Sequence, residues 1–408
     1  VASGSAEIFM WVEGNLFAAS GSIETLQNLE QRVGDSGAPS FIGTPLHSQL
    51  TEIYAGGVSW ILGADLAAAI AESTSGISEE EAANLDRFGM LDATTIVIER
   101  HRDGEWYATN AEVRFSEARR GIVAWLAEPA PMGSLEFVSP DAYVAASAVT
   151  KDGVEMFDDL LEFASSQGEG VLEQLQLIQQ IVGIDLREDF AATIGGEATF
   201  ALDGPMLPVP SWKLIVEVYD PETLIHTIER AVDLVNLKFA AEDVPPLVFE
   251  SSQGSGRTYY TINRDELDVQ VVFTNVDGYL VVAPSRALID QSIAYRASEV
   301  TLARSGVFQA LLPDNGFTDC SALVYRDLGS LIDVIPPEML GELEFADALS
   351  DDLSQGLVCI FGENDRITAS ATGGSLIGLA STLGMCGAQY AQESVFEEAV
   401  ETEAVSSL

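Results

Sequence analysis

Positive charge is what this chain has least of. Its 408 residues carry 19 Lys+Arg against 64 Asp+Glu, and its only lysines are Lys151, Lys213 and Lys238. A formal net charge of -45 repels phosphate backbones, so nucleic acid is excluded as a partner. Anionic headgroups are repelled for the same reason. Histidine is as scarce: His47, His101 and His226 lie in separate elements, whereas a zinc site needs three or four converging N, S or O ligands. The cysteines number three, Cys320, Cys359 and Cys386, with no C-x-x-C pair and no disulfide framework. Cys320 and Cys359 fall in strand-like runs, so a single bridge requires those strands to be neighbours; buried free thiols are the expectation. Asn-x-Ser/Thr is absent throughout.

Other signatures of chemistry are present only in fragments. Gly195-Gly196 opens a strand and no helix follows, so no dinucleotide cradle forms; a turn or bulge needing positive φ accounts for the pair. The acidic clusters Glu79-Glu80-Glu81, Asp158-Asp159, Asp351-Asp352 and Glu397-Glu398 lack the fixed oxygen offsets and Gly turn of a calcium loop. The nearest stretch, Asn263–Asp268, has no glycine, and solvated charge is the reading. Gly34-Asp35-Ser36-Gly37-Ala38-Pro39 resembles the loop around the nucleophile of trypsin-like serine proteases. In those enzymes His and Asp precede Ser by a long stretch, whereas here no His comes before Ser36 and His47 follows it. Arg119-Arg120 is an interior basic pair suited to tying carboxylates together. No catalytic, cofactor-binding or metal-binding residue is therefore assigned, and no enzyme activity is expected.

What the chain does contain is material for cores. Hydrophobic residues make up 47% and charged residues 20%, and the length predicts two or three units. Three times an alternating apolar strand leads into an amphipathic helix: Ala6–Val12 before Ile23–Val33, Ala142–Val149 before Gly153–Phe163, and Cys320–Tyr325 before Asp327–Ile335. Such recurrence predicts duplication. Between them lie Val58–Leu62 as a strand, Ala64–Glu72 as a helix, and a hairpin of Thr94–Glu99 and Glu105–Phe115. Arg119–Leu126 is expected to be helical, with Pro129-Ala130-Pro131 as a joint. A helix over 170–182 comes next, followed by strands Glu197–Asp203 and Trp212–Tyr219. Asp220-Pro221-Glu222 then starts a helix, because Pro fits its first turn and acids suit its positive end. Strands Thr258–Ile262, Asp268–Thr274 and Tyr279–Ala283 precede a helix at Ala287–Tyr295, and Leu357–Phe361 with Arg366–Thr372 form a last pair. Short turns between strands predict an α+β fold of repeated modules, each an antiparallel sheet with helices packed on one face. The modules are set at residues 1–132, 133–316 and 317–408, the last a partial repeat.

Several runs then match a known pattern. Val138-Ser-Pro-Asp-Ala-Tyr-Val144, Ile184-Asp-Leu-Arg-Glu-Asp-Phe190, Ile194-Gly-Gly-Glu-Ala198, Val216-Glu-Val-Tyr-Asp-Pro221, Gly278-Tyr-Leu-Val-Val-Ala-Pro-Ser285 and Thr301-Leu-Ala-Arg-Ser-Gly-Val-Phe308 occur in this order. Over roughly residues 115–372 the chain resembles a bacterial family known only as a domain of unknown function (DUF3352-like). The resemblance implies an exported or envelope-associated protein of repeated α+β modules, and it carries no catalytic residues. The small-residue opening Val1-Ala-Ser-Gly-Ser-Ala6 leads to the expectation that a leader has been removed or that the true start lies upstream. From Ile367 to Gln392 there is no charge. Its Gly, Ser and Thr content and the acids that follow favour a helix packed on the sheet or a partner over a membrane span, and Glu393–Leu408 reads as an acidic helix.

These readings lead to a non-enzymatic exported protein of the periplasm or cell surface, structural or assembling with other proteins, with copies of itself, or with basic partners. The alternative is a carrier holding a lipid or other apolar ligand in a curved sheet.

Overall fold

The computed structural model describes residues 8–34, 41–74, 79–166, 183–313, 319–330 and 355–372, together with 179, and excepting 15, 104–105, 208, 240–244, 265–266 and 328. The chain divides into two units, Val1–Ile53 and Tyr54–Leu408.

In the first unit, β1 (Phe9–Glu13) and β2 (Leu16–Ser20) pair antiparallel, with Met10 opposite Ala19 and Val12 opposite Phe17. The turn uses Gly14 at φ +58°, a conformation that side chains disfavour. Helices α1 (Ile23–Gly34) and α2 (Pro45–Ala55) follow, and α1 packs on the hairpin. The expected direct passage from strand to helix is corrected here, because β2 intervenes.

The second unit begins with β3 (Trp60–Asp65), α3 (Leu66–Thr74), α4 (Glu79–Phe88), β4 (Ala93–Asp103) and β5 (Trp106–Phe115). Next come β6 (Val144–Val149), α5 (Gly153–Ser166), β7 (Ile194–Leu202), β8 (Trp212–Val218) and α6 (Pro221–Phe239). They are followed by β9 (Val248–Gly254), β10 (Arg257–Arg264), β11 (Leu267–Val276), β12 (Tyr279–Ala283), α7 (Arg286–Ser298) and α8 (Gly306–Leu311). The last described elements are β13 (Ala322–Asp327), β14 (Gln355–Gly362) and β15 (Arg366–Thr372).

All thirteen strands from β3 to β15 join one antiparallel sheet, in the order β3-β4-β5-β15-β14-β13-β6-β7-β8-β12-β11-β10-β9. An α+β fold built on a large antiparallel sheet is thus what the structure shows. The sheet passes without a break through the strands of residues 60–115, 144–283 and 322–372. The junctions are β5 with β15 and β6 with β13, as Ala369↔Ala111 and Leu323↔Ser147 show.

Local chemistry explains the best-defined elements. Asp277 and Gly278 both take positive φ between β11 and β12, the two-residue turn whose twist suits a hairpin. Ser255 and Gly256 repeat the device between β9 and β10. Asp220 caps α6 by accepting from the Thr223 amide at 3.1 Å, and Ser285 caps α7 through the Leu288 amide.

Helices cover both faces of the sheet, which corrects the one-face expectation. Alternate residues of a strand point to opposite sides. Val281 and Ala283 of β12 join the main core with Ile289 of α7, Leu302 and Phe308. Their neighbours Leu280 and Val282 join a second core with Leu224, Ile225 and Ile228 of α6. A strand apolar on both sides needs a cover on each.

Two smaller corrections follow. Arg119–Leu126 is not an α-helix but a single 3-10 turn at Gly121–Ala124. Gly121 has φ +59°, and the Arg119 side chain donates to the carbonyls of Val123 and Leu126, oxygens a longer helix would use, and also to that of Glu363. Gly195-Gly196 does lie at a register shift in β7, but neither glycine has positive φ. Crowding is the cause: a Cβ at position 196 would stand 2.5 Å from the Thr150 carbonyl oxygen. The expected helices at 170–182 and 393–408, most of the one at 327–335, and the uncharged run beyond Thr372 lie outside the described residues.

Cys320 and Cys359 are joined by a disulfide, Cα to Cα 5.6 Å, which corrects the expectation of free thiols. The antiparallel pairing of β13 with β14, Ala322 opposite Ile360, brings the two together. Cys386 lies outside the described residues.

Candidate functional site

A groove of about 700 Å³ lies between the first two turns of α6 and the β9–β11 edge of the sheet. Strand pairing builds its floor. Tyr260 of β10 stands opposite Ser251 of β9 and Phe273 of β11, which gathers three rings on one face. Tyr260 stacks on Phe273 with centroids 5.5 Å apart, and Phe249 lies 5.9 Å from Tyr260. Ile225 of α6 completes the apolar lining, while Glu222, His226 and Glu229 line the helix side. Ser251, Thr258, Asn275 and Arg257 supply polar groups from the strands and the Ser255-Gly256 turn. An apolar floor with a few polar groups at the margin is the usual form of a small-molecule site. On the helix side His226 stands 3.7 Å from Glu229.

On the opposite face, ionisable groups are consumed by structure. Lys213, almost wholly buried, sits 2.7 Å from Asp203. The Ser139 amide and hydroxyl also donate to that carboxylate, at 2.8 and 2.6 Å. Burial lowers the Lys213 pKa, opposed by the attraction of Asp203. Nearby, Glu197 accepts from the Ser134 amide at 2.5 Å and from the Tyr279 hydroxyl at 2.9 Å. Burial, together with Glu197, raises the Tyr279 pKa. Burial, then the Glu197 charge, raises that of Glu217. These clusters pin the 133–139 segment to the sheet, because each unpaired buried polar atom would cost about 1–3 kcal/mol.

The residues weighed in the sequence are dispersed. Ser36 lies outside the described residues. His47 is on α2, His101 on β4 and His226 on α6, and only His226 reaches the groove. Among the described residues no group of three or more His, Cys, Asp or Glu could hold a metal. Asp158 pairs with Arg187, and Asp159 with Lys151. Arg120 bridges Asp86 and Asp92, the carboxylate-tying role expected of it, whereas Arg119 departs from that expectation by donating to backbone carbonyls. Among the described residues no helix is long and apolar enough to cross a membrane. The groove is not legible in the sequence, because Phe249 and Tyr260 meet only once β9 pairs with β10.

No protein-family model and no curated protein matches the chain. Among solved structures, one described as crystal form III of TP0453 aligns with 63% of this chain and 98% of its own, at 12% identity and a TM-score of 0.26. So slight a likeness identifies neither fold nor function.

Proposed function

We propose that the protein is a non-enzymatic, exported envelope protein that acts by assembling with copies of itself. The supporting observation is the outer face of the first hairpin. Ile8, Met10, Val12 and Phe17 are 66, 69, 67 and 66% exposed, while Phe9 and Trp11 on the inner face are half-buried. In a protein this acidic, a cluster of four large apolar side chains in water is a contact surface. The face carries no charge, so charge complementarity cannot select a basic partner there. A flat apolar face is self-complementary, which suits a two-fold contact between copies with their strands aligned. The Cys320–Cys359 disulfide supports export, since such bridges persist in oxidising compartments. The family resemblance points the same way.

Light scattering on wild type and Phe17→Glu in low and high salt tests the assembly. The wild type should exceed its 43.6 kDa chain mass, more so in high salt, which screens repulsion between acidic copies. Phe17→Glu should return to the chain mass. A wild type at chain mass in both buffers overturns the proposal. A second reading, a carrier of an apolar ligand, is favoured by the aromatic groove beside α6.

A further inference from the structure

The chemistry of the groove narrows what it can hold. Two carboxylates, Glu222 and Glu229, line it against one guanidinium, Arg257, and the His226 ring stands 3.7 Å from Glu229. The two acids are seven residues apart on α6, hence on one side of the helix. Beneath them lie the rings of Phe249 and Tyr260, whose faces attract cations. Asn275 adds a carboxamide whose Oδ1 is buried and has no hydrogen-bond partner, an acceptor waiting for a donor. Negative charge, ring faces and an unmet acceptor ask for the same group, a cation bearing N–H. An anion would meet like charge, and a neutral apolar molecule would cover the carboxylates without pairing them.

We propose that this groove binds a small organic ammonium, an N–H-bearing cation on a flat apolar body that rests on Phe249 and Tyr260. The inference rests on the carrier reading, and is independent of the hairpin face. The net charge of -45 would also concentrate cations near the surface.

Titration calorimetry of the full chain in low salt, with three probes sharing one apolar body, tests it: 2-phenylethylammonium, 2-phenylethanol and phenylacetate. The ammonium should bind and the other two should not. The exposed pair change Glu222→Gln/Glu229→Gln should weaken ammonium binding about tenfold or more. Arg257→Gln should tighten it. If the alcohol or the carboxylate binds as well as the ammonium, charge selection is wrong while the groove remains a ligand site. If none of the three binds, the carrier reading falls and the proposal with it.

Discussion

Reducing the Cys320–Cys359 bridge should destabilise the second unit by about 4 kcal/mol. The bridged residues are 39 apart in sequence. Closing a loop of about that length removes roughly 13 cal/mol/K from the unfolded chain in the entropic model, or about 4 kcal/mol at 25 °C. The folded state needs no rearrangement to lose the bridge, because β13 and β14 remain paired from Ala322↔Ile360 to Asp327↔Gln355. The loss therefore falls mainly on the unfolded side. Domains of ordinary stability hold about 5–15 kcal/mol, so the reduced protein should stay folded with a much lower urea midpoint. The assay is urea unfolding followed by circular dichroism, with and without reductant, and with the Cys320→Ala/Cys359→Ala variant as a check that reductant acts through this pair. Thiol titration of the unfolded, unreduced protein should find a single thiol, Cys386. Three titratable thiols, or a midpoint unmoved by reductant, would refute the reasoning and remove a support for export.

Three further outcomes follow. Lys213→Met leaves Asp203 buried with only the Ser139 donors and should cost about 3–5 kcal/mol, whereas Lys213→Met with Asp203→Leu should recover much of it; equal losses in thermal unfolding would contradict this. Gly196→Ala should lose about 1–3 kcal/mol by pressing a Cβ on the Thr150 carbonyl, and an unchanged melting temperature would show the bulge to be slack. Glu217 has its folded pKa raised above the unfolded value of 4.5, so the stability it contributes is full below that pH and is lost as pH rises through the folded value. Glu217→Gln stays neutral, so it should melt above wild type at pH 7, with the gap closing toward pH 4; a gap independent of pH would speak against a Glu217 carboxylate whose ionisation is opposed by burial and, after it, by Glu197.

Much of the fold could be read from local chemistry, and its failures have physical causes. Asp220-Pro221-Glu222 marks a helix start, and α6 begins there as expected. β9 went unread because Glu250-Ser-Ser-Gln-Gly254 lacks apolar alternation, as befits an edge strand with little to bury. The run Leu280-Val-Val-Ala283 carries the sign of a strand covered on both faces, since all four consecutive residues are apolar. The groove was illegible for a different reason. Glu222 and Glu229 look like any solvated helix face until pairing carries Phe249 and Tyr260 beneath them. The hairpin face was hidden because β1 alone reads as an ordinary half-buried strand, and only β2 shows which side is left in water.

Covalent capture at the hairpin probes the assembly most directly. In a Cys386→Ala background, Met10→Cys should oxidise to a dimer of twice the chain mass under mild conditions, while Leu237→Cys, equally exposed on α6, should stay single. Equal cross-linking at both positions, or none at Met10, would contradict a contact built on this face.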